Sequence, residues 1–161
     1  LWPNKAFCFG PKQRLLAPQS GAMGYGLPAA IAAGVAHPGR QVVCFAGDGD
    51  IQMGIAELGT AIQAGSKLII IVLNNGSYGT IRMHQERDYP DRISGTNLYN
   101  PDFAAVAQAY GMAGFTVAKT EAFEAAFNKA VTAENGGVIE LDINVDAITP
   151  RTTLTKLRSG G

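Results

Sequence analysis

Two stretches of this chain read as continuous strands, residues 41–46, apolar after Gln41, and residues 68–73, apolar throughout. Both are rich in β-branched side chains and neither alternates, the pattern of strands buried on both faces. Between them Ile55, Leu58, Gly59 and Ile62 fall at i, i+3, i+4 and i+7, one face of a helix. Earlier, Gly21 to Gly34 contains Leu27, Ala29, Ala30, Ile31, Ala32 and Ala33 and predicts a small-residue helix able to pack closely on a sheet. Later, Phe103, Val106, Ala107 and Tyr110 repeat the helical spacing, with Asn100 and Pro101 as cap and first turn. A short strand is expected near 115–118, then a helix marked by Phe123, Ala126, Phe127 and Ala130 and capped by Thr120. The last strand, 138–145, alternates Ile139, Leu141, Ile143 and Val145 with Glu140, Asp142 and Asn144. That alternation predicts an edge strand or one with a solvated face.

Strands alternating with helices predict an α/β fold, a three-layer doubly wound parallel sheet with helices on both faces. Residues 1–20 hold Pro3, Pro11 and Pro18 and no sustained period, so they are expected to be a largely irregular entry. Residues 21–146 form the expected ligand-binding domain, and 147–161 a polar, basic, loosely held tail.

Composition narrows the functions available. The 161 residues are 47% hydrophobic and 16% charged with zero formal net charge, a globular balance that gives no electrostatic case for nucleic acid or an anionic membrane. No apolar run approaches the ~18 residues of a transmembrane helix. Cys8 and Cys44 are far apart, and Cys44 lies inside an apolar run, as expected of a reduced core thiol in a cytoplasmic setting. The chain opens without Met or a signal pattern, which reads as a start within something larger.

The chemistry is concentrated where the two apolar strands end. In such a sheet, ligands bind beyond the carboxyl ends of the strands. The first ends in Gly47-Asp48-Gly49-Asp50 and the second in Asn74-Asn75-Gly76-Ser77. The glycines let backbone approach an anion, and the helix that follows offers free N–H groups. Asp48 and Asn75 offer one charged and one neutral hard oxygen. Mg²⁺ favours that set, taking one or two carboxylates and completing its octahedron with phosphate oxygens. A dinucleotide-binding glycine motif fails, because Gln52 stands at the third glycine position and the earlier cluster, Gly21, Gly24 and Gly26, has the wrong order.

A GDG followed about two dozen residues later by a double Asn resembles the signature of thiamine-diphosphate enzymes, and here 24 residues separate Gly49 from Asn74. The run from Gly21 to Ala30 (GAMGYGLPAA) is similar to the acetolactate-synthase-like branch of that superfamily. The resemblance, which extends from about Leu15 to Arg158, implies thiamine diphosphate and Mg²⁺ as cofactors. It assigns Asp48, Asn75 and the Ser77 carbonyl to the metal. Gly47, Asp48, Gly49, Asp50 and Ile51 would underlie the diphosphate, with support near Ser77 and Tyr78. It assigns Met23 to the space beneath the bent cofactor, with Gly21, Ala22 and the Met23 backbone beside the pyrimidine. Ile81 and His84 would line the substrate pocket. Glu57 and His37 are expected to be structural or solvated.

The implied activity is cleavage or formation of a C–C bond next to a carbonyl, on a small 2-oxo acid or aldehyde. The family's catalytic Glu belongs to a separate pyrimidine-binding domain, on the same or another subunit of a homodimer or homotetramer. No segment here matches that domain, so the chain is expected to be a C-terminal fragment or one subunit of a split enzyme, with negligible turnover alone. Alternatives are an aryl 2-oxo acid decarboxylase, an aldehyde lyase, an oxalyl-CoA decarboxylase or a non-catalytic docking module. The run from Gly76 to Ile81 departs from biosynthetic acetolactate synthase.

Overall fold

The computed structural model describes residues 2–159, which form two units: segments 16–74 and 100–142 make a sheet body, and segments 2–15, 75–99 and 143–159 make a second, smaller unit. Four parallel strands, β1 (Val42–Gly47), β2 (Leu68–Asn74), β3 (Ala113–Val117) and β4 (Gly136–Asp142), lie in the order β1-β2-β4-β3. Their side chains alternate between two apolar layers. From β2, Leu68, Ile70 and Val72 enter one layer, while Ile69 and Ile71 enter the other.

The first layer is closed by α2 (Gly26–Ala36), α3 (Asp48–Gln52), α4 (Glu57–Gln63) and α6 (Phe103–Ala109), through Leu27, Ile31, Ile51, Leu58 and Phe103. The second is closed by α7 (Phe123–Thr132), through Ala126 and Ala130 with Phe123 and Phe127 against them. Burying each large apolar side chain is worth about 1.5–3 kcal/mol, which makes β2, buried on both faces, the spine of the body. The expected three-layer architecture is therefore present. Gly136, at φ +73°, starts β4 where any Cβ would collide with the Leu68 carbonyl.

Several expectations need correcting. The last strand is not at an edge: β4 sits between β2 and β3, and Glu140 is buried. Glu140 answers to an internal hydrogen bond, in which Asn74 Nδ2 donates to its Oε1 at 2.6 Å, while Asp142 and Asn144 are exposed. Helix α6 is capped by Asp102, whose carboxylate accepts from the Ala105 N–H at 2.8 Å, so Asn100 is free for another task. Thr120 opens a short 3-10 turn, and α7 starts after it without a side-chain cap.

The second unit contains α1 (Trp2–Ala6), α5 (Gly79–Asp88) and α8 (Leu154–Arg158), so the opening segment is not wholly irregular. Nor is the tail loose. Leu154 is buried, Thr153 caps α8 by accepting from the Lys156 N–H, and Asp146 accepts from both the N–H and the hydroxyl of Thr155. Helix α5 buries Arg82 and Glu86, an i,i+4 ion pair with Nε to Oε1 at 3.1 Å. Arg158 reaches the same Oε1 through Nη2 at 2.6 Å, and Arg82 donates to Asn97 Oδ1 at 3.1 Å.

Candidate metal and diphosphate site

In the sheet body, β1 runs into Gly47, whose extended backbone (φ −74°, ψ 160°) caps α3. The segment Asp48-Gly49-Asp50-Ile51-Gln52 therefore makes a single helical turn at the carboxyl end of the sheet, and its leading amides have no acceptor inside the helix. Ile51 is in the core, which leaves only its backbone for a ligand. Asp48 is 3% exposed. Taking an unpaired carboxylate out of water is expensive. Yet among the described residues no Lys or Arg forms an ion pair with it. Its Oδ2 instead accepts from the neutral amide of Asn100, Nδ2 at 2.7 Å.

Asp50 is turned toward the glycine cluster, where its Oδ1 accepts from the Gly24 N–H at 2.6 Å. Gly24 (φ +81°) and Gly21 (φ +68°) take the left-handed conformation that glycine tolerates, and the turn they form leads into α2. The two signatures noted in the sequence are thus tied directly to each other. Met23 stands between the two glycines and is 41% exposed; Ala22 is exposed beside it. Cys44 lies under the same region. Burial first, and the Asp50 charge second, push its thiol up to about 12, so it stays protonated and inert.

In the second unit, Asn75 Oδ1 accepts from the Ser77 N–H at 3.0 Å, an Asx turn that fixes the side chain. Ser77 is buried and its hydroxyl donates to the Thr96 carbonyl at 2.9 Å. An isolated antiparallel bridge joins Ser77 to Asn97, using the Gly76 carbonyl and the Tyr78 N–H, the positions flanking Ser77. Ile81, at 50% exposure, and His84 are on the open side of α5, away from Arg82 and Glu86. Glu57 opens α4 half-buried, and His37 is exposed just past α2.

Among the described residues no three His, Cys, Asp or Glu side chains converge on one point. A metal here needs amide, carbonyl and phosphate oxygens beside its single carboxylate, which is the hard-oxygen set that suits Mg²⁺. A groove of roughly 500 Å³ between Gly34, Arg40, Gln41, Lys67 and Val131 is at the opposite, amino end of the strands and carries none of the residues above. Missed in the sequence were the amide of Asn100 and the buried acid of Glu140. No helix of the described residues is long and apolar enough to cross a membrane.

Residues 1–143 match the family model described as thiamine pyrophosphate enzyme, C-terminal TPP binding domain. Acetolactate synthase of Arthrospira platensis is 38% identical over 147 residues, 90% of this chain and 25% of that protein. The acetolactate synthase large subunit of Haemophilus influenzae is 42% identical over 128 residues, covering 79% of this chain and 22% of its own. Among solved structures, a thiamine diphosphate-dependent 4-hydroxybenzoylformate decarboxylase of Rhodococcus jostii RHA1 aligns with TM-score 0.72 and 39% identity over 78% of this chain and 24% of its own. Benzoylformate decarboxylase of Polynucleobacter necessarius aligns with TM-score 0.73 and 27% identity over 81% of this chain and 25% of its own. The chain thus spans about a quarter or less of the proteins it matches. It belongs to the family of C-terminal thiamine pyrophosphate-binding domains of thiamine pyrophosphate enzymes.

Proposed function

We propose that this chain holds thiamine diphosphate through Mg²⁺, as one domain of an enzyme that makes or breaks a C–C bond next to the carbonyl of a small 2-oxo acid or aldehyde. The observation that carries the reading is the buried Asp48 carboxylate, which has no cationic side-chain partner among the described residues and is supported on one oxygen by a neutral amide. A divalent ion supplies the missing charge. In this reading the Asp48 carboxylate, the Asn75 amide oxygen and the Ser77 carbonyl ligate Mg²⁺. The turn from Gly47 to Ile51, with backbone near Ser77 and Tyr78, holds the diphosphate. Met23, with Gly21 and Ala22, supports the rings. Ile81 and His84 face substrate.

Bound thiamine diphosphate supplies the carbanion-stabilising chemistry; the protein's part is position and electrostatics. The remainder of the active site, including an acid on a pyrimidine-binding domain, comes from elsewhere in the protein or from a second copy in a homo-oligomer, in the cytoplasm. The 39% identity to a decarboxylase of 4-hydroxybenzoylformate favours an aryl 2-oxo acid as a second substrate class beside the aliphatic one.

Thermal unfolding tests the binding claim. Thiamine diphosphate and Mg²⁺ together, at a hundredfold excess over Kd, stabilise a single-site protein by about 2.7 kcal/mol. Asp48→Ala is expected to remove that gain. An unchanged melting temperature in the wild-type protein would overturn the reading in favour of a docking module. Turnover of aliphatic against aryl 2-oxo acids by the complete enzyme then separates the two substrate classes.

A further inference from the structure

Asn100 is the residue between Asp48 and the rest of the sheet edge. Its amide orientation is fixed by chemistry: a carboxylate can only accept, so Nδ2 faces Asp48 Oδ2 at 2.7 Å. The second Nδ2 hydrogen goes to Asn74 Oδ1 at 2.8 Å, and Oδ1 accepts from Gln52 Nε2 at 2.6 Å. Asn74 in turn donates to Glu140 on β4 at 2.6 Å. The network therefore touches the ends of three elements, α3, β2 and β4, and both amide hydrogens of Asn100 are committed. A group held at that many points does not turn away when a ligand arrives.

That arrangement bears on which ion the site takes. Mg²⁺ demands near-octahedral geometry at about 2.0–2.1 Å and accepts one oxygen per carboxylate, whereas Ca²⁺ takes six to eight oxygens at about 2.3–2.6 Å and readily binds a carboxylate through both. The N–H dipole 2.7 Å from Oδ2 points its positive end at that oxygen and opposes a cation there. Only Oδ1 is left unopposed. Resting on the reading that Asp48 ligates the ion, we propose that Asn100 is a positioning residue that makes Asp48 a one-oxygen ligand and so sets the preference for Mg²⁺ over Ca²⁺.

The test titrates thiamine diphosphate with Mg²⁺ and, separately, with Ca²⁺ into the wild-type protein, Asn100→Ala, Gln52→Ala and Asp102→Ala, reading melting temperature. Partners of metal ligands typically contribute about 10–100-fold in metal affinity. In Asn100→Ala the Mg²⁺-dependent affinity is expected to fall about tenfold while the Ca²⁺-dependent affinity holds or rises, lowering the Mg²⁺:Ca²⁺ ratio by about as much. Gln52 is exposed and only orients the amide, so Gln52→Ala shifts the ratio the same way by less; it carries the test if Asn100→Ala does not fold. Asp102→Ala weakens the α6 cap without touching Asp48, and leaves the ratio at its wild-type value. A purely structural Asn100 would lower both affinities together, and an unchanged ratio in Asn100→Ala and Gln52→Ala overturns the proposal. A wild-type protein responding to neither ion removes the site reading, and this inference with it.

Discussion

The sheet body and the smaller unit are held together by different forces. In the body, two continuous apolar layers flank a sheet whose central strand has no exposed residue from Leu68 to Val72. In the smaller unit, the most deeply buried side chain of α5 is a carboxylate, Glu86, gripped by Arg82 and Arg158. Apolar burial is non-directional and indifferent to pH, whereas a buried ion cluster depends on geometry, on every member being present and on protonation. One chain thus combines a sheet that tolerates local adjustment with helices that depend on a few charges.

The largest effect should come from the body. Phe103→Ala, which empties a side chain from the first layer, is expected to cost about 3–5 kcal/mol and to lower the melting temperature of the whole body. A loss confined to α6 in hydrogen exchange would show that the layer is less cooperative than its packing implies. In the smaller unit, Glu86→Gln leaves Arg82 buried without its counter-charge. The cost is expected near the low end for a broken buried pair, about 3 kcal/mol, because Arg158 is 35% exposed and water screens it. Hydrogen exchange should place that loss in α5 and α8 and leave β2 protected.

Acid should reproduce the same loss without mutation. The Arg158 hydrogen bond, opposed by burial but reinforced by the Asp91 N–H and Arg82, holds the Glu86 carboxyl at about 2 against an ordinary 4.5. Below 4.5 the unfolded chain therefore binds the proton that the folded one refuses, and stability drops as pH falls toward 2. Asp146, whose carboxyl is held low first by the Thr155 N–H, moves stability in the same direction. Protection factors in α5, corrected for intrinsic exchange, are expected to fall across that window, and a flat profile would remove the cluster as the source of cohesion. The smallest effect is Asp102→Ala, which removes the α6 cap at about 1 kcal/mol, measurable as a shift in denaturation midpoint.

The same contrast explains what could be read in the sequence. Strands β1 and β2 were legible because uninterrupted β-branched runs have few other uses, and the GDG and double Asn were legible because they follow such runs directly. Helix α5 was not, since the periodicity that reveals a helix is apolar and its buried face is Arg82 and Glu86. Tail helix α8 was hidden for a related reason, because its anchor, Arg158, looks like a solvated charge until Glu86 is seen beside it. Turn α3 was masked by Gly49, a poor helix former in a segment that reads as a loop. Glu140 and Asn100 read locally as a solvated residue and a cap, since nothing local records a partner dozens of residues away. Propensity sees the chain one neighbourhood at a time, and a polar network is assembled across neighbourhoods.

The bridging amide of Asn100 also bears on how the protein ages. An asparagine loses ammonia most readily when the next backbone nitrogen attacks its side-chain carbon, and that nitrogen must carry a hydrogen. Pro101 follows Asn100 and has none, so this amide is shielded from the commonest route of spontaneous decay. Asn75 precedes Gly76, the least hindered nucleophile a chain can offer, and lacks that shield. During long storage, chemical wear should reach the double-Asn loop well before it reaches the support behind Asp48.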